Sequence, residues 1–221
     1  MNQTLNTDEA ARASHARNET VLVERARAFD TATLHEAAGK RGALPSAIKP
    51  VAPGFRLAGP ALTVHGPSGD NLWLHRAIYA AQPGDVLVVN VSGVTEHGYW
   101  GEVMSTAARV RGLAGLVIDG CVRDGALLAA VGFPVFARGL CIRGTGKDFN
   151  AHGFINRATL IGDVIVQPGD LVVGDADGVV VLARDSAAAT LEAAQLRADA
   201  ERAILARLAH GESTLAIYGW H

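Results

Sequence analysis

The sequence predicts an α/β layered domain with a mixed central sheet, flanking helices and a long C-terminal helix. Three observations carry this expectation. Short apolar runs of strand type alternate with segments of helical period as far as Ala137, Val-rich runs separated by Gly and Asp turns follow from Thr159 to Leu182, and an Ala/Leu-rich stretch fills Ser186 to Ala209.

Residues 1–18 are polar and read as an N-terminal arm. A helix is expected near Val21 to Ala28, and Thr31-Ala32-Thr33 is a cap for a second helix starting near Leu34 and ended by Gly39 and Gly42. Strands are expected at Arg56–Val64, Asp85–Val91, Leu113–Asp119, Val135–Ala137, Thr159–Val166, Leu171–Val173 and Val179–Leu182. Helices intervene at about Asp70–Ala81, Glu102–Arg111 and Asp124–Val131. Within GEVMSTAARVRG, residues 101–112, Val103, Ala107 and Val110 recur on one helical face and Gly112 is a stop, so Glu102 falls in the first turn. Leu113–Asp119 then reads as a strand, and Gly120-Cys121-Val122 turns the chain so that Arg123-Asp124 opens the next helix.

Two loops have competing readings. Gly174-Asp175-Ala176-Asp177-Gly178 alternates acids before a glycine but lacks the further ligands and closing Glu of a calcium loop, so Asp177-Gly178 is read as a hairpin turn. Gly66-Pro67-Ser68-Gly69-Asp70 either cradles an anion at a helix start or supplies a cap through Ser68 or Asp70. The expected organisation is an arm at 1–18, an α/β catalytic domain at 19–185, and a C-terminal helix and tail at 186–221. Along that last helix Glu192, Arg197, Glu201 and Arg202 form mostly a solvated face.

Hydrophobic residues make up 49% and charged residues 19%, too apolar for a disordered chain. A net charge of -2 with no basic cluster gives no footprint for nucleic acid. The first residues lack the basic start and apolar run of a secretory signal, and no apolar stretch approaches the roughly 18 residues that span a bilayer, so a cytoplasmic protein with no membrane partner is expected. Cys121 and Cys141 are the only cysteines; they match no zinc spacing, and Cys121 reads as a small buried thiol rather than a nucleophile.

Glu102 and Arg123-Asp124 stand out in a chain with little other clustered charge. Arg123 and Asp124 follow a strand's carboxyl end, where open α/β sheets bind ligands. Yet a first-turn acid also complements the helix dipole by about 0.3–1 kcal/mol, and an Arg-Asp pair is common on surfaces. Spacing alone leaves both readings open.

The run PGDVLVVN from Pro83, followed by GYWGEVMSTAARVRGLAGLVIDGCVRD ending at Asp124, resembles the bacterial aldolases acting on 4-hydroxy-4-methyl-2-oxoglutarate and 4-carboxy-4-hydroxy-2-oxoadipate. These belong to the larger group around the regulators of ribonuclease activity A. The resemblance extends through Thr33-Leu34-His35-Glu36-Ala37 with Gly39, Asp70-Asn71 with His75, Gly144-Thr145 with Lys147, Pro168-Gly169-Asp170, Asp175-Ala176-Asp177-Gly178 and the closing LAHGESTLAIYG. Two positions depart from it: Glu102 stands where Asp is common, and Ala216 where Asp is frequent. The resemblance implies a swivelling β/β/α fold of the phosphohistidine-domain type and a homotrimer or homohexamer. It also implies that Glu201 reaches the metal site of a neighbouring subunit.

Retro-aldol cleavage of a 4-hydroxy-2-oxo acid releases pyruvate as an enolate, which a lysine Schiff base or a divalent metal can stabilise. The chain has three lysines, Lys40, Lys49 and Lys147, none in an apolar strand, which favours the metal route. Lys147 reads as a substrate-anion contact or a surface residue. Taken with the resemblance, Asp124 is expected to ligate Mg²⁺ or Mn²⁺ directly, with Glu102 and a neighbour's Glu201 holding it through water. The amides of Val103 and Met104 would bind the substrate carboxylate and Arg123 would stabilise the enolate oxygen. A metal-ordered water held by Glu102 or Glu201 is expected as the base for the C4 hydroxyl, with His35 and His75 as alternatives, although a lone helix histidine more often serves packing or hydrogen bonding. An oxaloacetate decarboxylase side activity follows from the same enolate. A non-catalytic trimeric regulator of ribonuclease E is the alternative function; a methyltransferase lacks its Gly-rich nucleotide loop here.

Overall fold

Runs such as Val86–Asn90 carry apolar residues at successive positions rather than alternate ones, which requires a strand covered on both faces. The computed structural model, which describes residues 20–220, shows how that cover is built. The expected arm at 1–18 lies outside the described residues. The chain opens with α1 (residues 20–27), α2 (Thr31–Ala37), β1 (Lys49–Pro50), β2 (Leu57–His65), α3 (Leu72–Ala80) and β3 (Val86–Asn90). There follow α4 (Glu102–Val110), β4 (Gly115–Asp119), β5 (Cys121–Val122), α5 (Gly125–Val131), β6 (Val135–Ala137) and β7 (Gly139–Leu140). The last part holds β8 (Phe154–Ile155), β9 (Thr159–Ile161), β10 (Val164–Val166), β11 (Leu171–Asp175), β12 (Gly178–Leu182), α6 (Ala187–Ala209) and α7 (Thr214–Tyr218).

The main sheet runs β1-β6-β4-β3-β2-β11-β12, with β8 also paired to β2. Its centre, from β2 through β3 and β4 to β6, is parallel and its flanks are antiparallel, so the sheet is mixed as expected. The two ends approach each other, and Lys49 Nζ donates to the Asp177 carbonyl at 2.5 Å, leaving the sheet nearly closed.

Alternating side chains of the central strands serve two cores. Leu87, Val89, Leu116 and Ile118 pack beneath α3, α4 and α5 against Leu74, Ile78, Met104 and Leu128. Val86, Val88 and Val117 point into the curl of the sheet against Phe136, Val172, Val181 and Ile161. A third cluster sets Ala58, Val173 and Val180 against Leu34 of α2 and Leu191 and Ala194 of α6. Fully burying such a side chain stabilises by about 1.5–3 kcal/mol, so these clusters fix where α4 and α5 begin.

Several expectations need correction. The second helix starts at Thr31 rather than Leu34, because Asp175 caps it from another strand: Thr31 N and Oγ1 donate to the Asp175 carboxylate at 2.8 and 2.7 Å. The expected strand Thr159–Val166 is a hairpin, β9 paired antiparallel to β10 around Gly162, whose φ of 63° is left-handed. On α4 the buried face is Met104, Ser105 and Ala108, while Val103 and Val110 are 79% and 82% exposed. The expected stop Gly112 does follow α4, with a φ of 74°. The β11–β12 turn is Ala176-Asp177, one residue before the Asp177-Gly178 read from the sequence, and Gly178 opens β12. The two-residue strands β1, β5, β7 and β8, and the short α7, were not expected; each is too brief to show a period. No helix among the described residues is long and apolar enough to cross a membrane.

Candidate functional site

Beyond the carboxyl ends of β3 and β4 the backbone segments at 98–101 and 121–123 run side by side. Tyr99 N donates to Cys121 O at 3.1 Å and Arg123 N to Trp100 O at 2.8 Å, while Gly98 N reaches Arg143 O at 2.8 Å. Glycine is required for this approach. A Cβ on Gly98 would stand 2.4 Å from Cys141 O and 2.9 Å from Arg123 Cβ, and one on Gly101 would stand 2.4 Å from Asp124 Oδ2. Between the glycines, Tyr99 and Trp100 are fully buried and anchor the segment. Trp100 Nε1 donates to Ser105 Oγ at 2.7 Å, and the Tyr99 hydroxyl accepts from Gly69 N at 2.9 Å.

Asp124 adopts a left-handed conformation, φ 62°, and its Oδ2 accepts from the Glu102 backbone N–H at 3.1 Å. Arg123 Nε lies 3.8 Å from the same oxygen, with the two side chains 51% and 35% exposed. The Arg123 guanidinium makes no hydrogen bond among the described residues, so its donors are available to a ligand. Gly101 is the N-cap of α4 and offers no side-chain cap. Asp124 satisfies only the Glu102 amide, and the amides of Val103 and Met104 have no acceptor among the described residues. An α-helix start with free amides carries partial positive charge and favours a carboxylate.

Arg123, Asp124, Val103 and Met104 line one open cleft of about 270 Å³, together with Asn71, His75, Thr145 and Lys147. Drug-sized and cofactor ligands occupy about 300–1,000 Å³, so this cleft suits a small organic acid. Asn71 is buried; its Nδ2 donates to Tyr99 O at 3.0 Å and to Met104 Sδ at 3.6 Å, leaving Oδ1 without a partner. Burial lowers the His75 pKa below its ordinary 6.5, the Lys147 charge lowers it further and Asp70 opposes them, which favours the neutral imidazole.

The structure thus brings together four of the expected site residues. Glu102 stands at the same helix start, but the cleft wall is formed by its neighbours Gly101, Val103 and Met104. Glu201 is not brought to the cleft within one chain; it pairs with Arg197 at 3.1 Å on its own helix. Of the candidate bases, His75 lines the cleft and His35, on α2, does not. Burial first, then the nearby Glu96 and Cys141, pushes the Cys121 thiol up against the opposing Arg138 charge, which suits an inert buried cysteine. Asn71, Tyr99 and Trp100 were not assigned roles from sequence, although GYWG, with aromatics between glycines, is the local signal of a close backbone approach.

The lining of this cleft offers a hard divalent cation the Asp124 carboxylate. Asp124 offers a partly exposed carboxylate beside a glycine-lined wall, and its Oδ1 accepts nothing among the described residues. No group of three or more His, Cys, Asp or Glu suited to a metal occurs among the described residues, so water and ligand oxygens would complete the shell, as Mg²⁺ accepts.

The sequence profile described as RraA-like, Aldolase/RraA, matches residues 27–181. A Halalkalibacterium halodurans protein provisionally named 4-hydroxy-4-methyl-2-oxoglutarate aldolase is 42% identical over 139 residues, covering 63% of this chain and 65% of the relative. The chain is also similar to the crystal structure of an uncharacterized protein from Pseudomonas syringae pv. tomato, at 29% identity and a TM-score of 0.78 over 88% of this chain and 91% of that one. The RNA-processing inhibitor RraA from Thermus thermophilis aligns with a TM-score of 0.63 at 26% identity, over 70% of this chain and 92% of that one.

Proposed function

Because the chain belongs to the RraA-like Aldolase/RraA family, we propose that it is a divalent-metal-dependent pyruvate aldolase cleaving 4-hydroxy-4-methyl-2-oxoglutarate or 4-carboxy-4-hydroxy-2-oxoadipate. The observation that carries this reading is the meeting of Arg123, Asp124 and the open amides of α4 in one cleft.

The 2-oxo acid end of the substrate lies at α4. Its carboxylate accepts from Val103 N and Met104 N, which the helix start leaves free. Arg123 donates to the C2 oxygen, where negative charge grows as the C3–C4 bond breaks. Mg²⁺ or Mn²⁺ at Asp124, when bound, supplies Lewis-acid polarisation of that oxygen. His75, neutral and in the cleft, accepts the C4 hydroxyl proton as C4 becomes the carbonyl of the departing 2-oxo acid. The bond's electron pair remains on the pyruvate half as the enolate, which takes a proton at C3. Oxaloacetate yields the same enolate by losing CO₂, so decarboxylation accompanies the aldolase reaction.

The site is completed by a second copy of the chain in a homotrimer or homohexamer, with Glu201 and Glu102 holding the cation through water. Support comes from apolar side chains left uncovered in one chain, among them Val103, Val110, Leu205 and Trp220. In this reading the catalytic domain is 19–185 and the 186–221 helix and tail pack on the neighbour.

A non-catalytic regulator of ribonuclease E is the alternative, suggested by the likeness to an RNA-processing inhibitor. A binding module has no need of an arginine, a carboxylate and free helix amides converging on a small-acid cleft. Assaying pyruvate release from both hydroxy-oxo acids beside ribonuclease E inhibition separates the two. Turnover without inhibition supports the enzyme, and inhibition without turnover defeats it.

A further inference from the structure

Asn71 stands at the N-cap of α3, yet its side chain makes no cap bond to that helix. The cap comes from one residue earlier, where Asp70 Oδ1 accepts from Leu72 N at 2.7 Å. The Asn71 side chain is thereby free to cross to the elements opposite: Nδ2 donates to Tyr99 O at 3.0 Å and to Met104 Sδ at 3.6 Å. Among the described residues no other group donates to Tyr99 O, and Tyr99 is fully buried.

Both contacts bear on the start of α4. Tyr99 O belongs to the peptide that leads through Trp100 to Gly101, the N-cap of α4, and the next carbonyl, Trp100 O, is held by Arg123 N at 2.8 Å. Met104 carries one of the two amides that the helix start leaves without an acceptor. One side-chain amide therefore ties α3 to the segment that enters α4 and to the first turn of that helix.

Stability alone is a poor reason for an asparagine at this position. Asn71 is 6% exposed and its Oδ1 accepts no hydrogen bond among the described residues, and a buried acceptor without a donor costs folding free energy. Positions that break a local rule in this way concentrate where a site is built.

We propose that Asn71 is a positioning residue: by holding Tyr99 O and the Met104 side chain it fixes the direction of the Val103 and Met104 amides, and so sets how tightly the cleft takes a carboxylate. The inference rests on the carboxylate-binding helix start proposed above. Asp124 is held by a different bond, from the Glu102 amide at 3.1 Å, so cation affinity and carboxylate affinity should separate.

Pyruvate binding to the full chain with Mg²⁺ present is measured by calorimetry, and Mn²⁺ affinity is measured without pyruvate. Asn71→Leu keeps much of the volume and removes the donor. It is expected to weaken pyruvate about tenfold while Mn²⁺ affinity stays within about twofold of the wild type. Asn71→Asp keeps the shape; its carboxyl can donate to Tyr99 O only when protonated. Its pyruvate affinity is taken relative to the wild type at each pH, so that the titration of His75 and the charges of Asp70, Lys147, Arg123 and Asp124 around the cleft cancel. That ratio should be at its lowest near about pH 8 and climb above the Asn71→Leu value towards about pH 5, since burial raises a carboxyl pKa. If Asn71→Leu does not fold, the pH series of Asn71→Asp carries the test. Wild-type pyruvate affinity in Asn71→Leu, or a flat ratio in Asn71→Asp, overturns the proposal and leaves the helix-start site standing. Loss of Mn²⁺ and pyruvate affinity together marks a general loosening of the fold and overturns it as well. A wild type that binds no pyruvate with Mg²⁺ removes the helix-start site itself, and this role with it.

Discussion

The backbone N–H of Glu102 donates to Asp124 Oδ2 at 3.1 Å, joining the start of α4 to the residue that precedes α5. This bond holds the carboxylate proposed to take the cation and the helix start proposed to take the substrate in one geometry. Positions fixed in advance are what let fixed donors stabilise charge that appears only in the transition state.

Asp124→Ala is therefore expected to lower pyruvate release by about 10²–10³-fold, as loss of a several-kcal/mol metal contribution requires. Steady-state assays beside Mn²⁺ titration check this, and Mn²⁺ affinity should fall with the rate.

Arg123→Ala should lower kcat by about 10²–10³-fold, since a preorganised donor to the developing oxyanion contributes about 3–4 kcal/mol. Arg123→Lys keeps the charge but loses the planar fork, and should recover only part of the rate. A change confined to KM would place Arg123 in binding rather than in stabilising the enolate.

Gly101→Ala tests the close approach directly. The added Cβ would stand 2.4 Å from Asp124 Oδ2, so the carboxylate or the helix start must move. A shift of about 1 Å in a catalytic group costs about 10²-fold in rate. Circular dichroism should show the fold retained while activity is lost.

Much of this was legible in the sequence, and the reasons differ by element. Strands such as Val86–Asn90 and Gly115–Asp119 announce themselves because their first four positions are all buried, on both faces, and carry no polar side chain. Arg123-Asp124 stood out because it follows an apolar strand, where α/β sheets bind ligands, but a surface pair fits that position equally, and it was the resemblance that chose between the two. Long-range geometry was not legible. That Asp175 caps α2, that Val103 and Val110 are exposed, and that Asn71 joins the cleft each depend on residues distant in the chain. Helical spacing placed Val103 and Val110 on one face of α4, but the face that meets the sheet is set by Met104, Ser105 and Ala108.

Asp175 offers a stability test remote from the cleft. Burial alone would raise its carboxyl, but hydrogen bonds from Thr31 N, Thr31 Oγ1 and Asp177 N, with the Arg56 charge, outweigh that and hold it below the usual 3.8. As pH falls the unfolded chain takes up this proton first. The contribution is complete above about 3.8 and is lost as pH falls through the lower folded value. Asp175→Ala, which leaves the Thr31 donors unsatisfied, should destabilise by about 2–4 kcal/mol at pH 7 in urea unfolding and flatten the acid limb of the stability profile.

The most direct measurement is pyruvate release from 4-hydroxy-4-methyl-2-oxoglutarate by wild type and Arg123→Ala, before chelation, after it, and after Mg²⁺ is restored. We predict turnover by the wild type that chelation abolishes and Mg²⁺ recovers, with Arg123→Ala near background throughout. Full-rate release from the stripped protein, or from the variant, would contradict a cation and an arginine acting together on the leaving enolate.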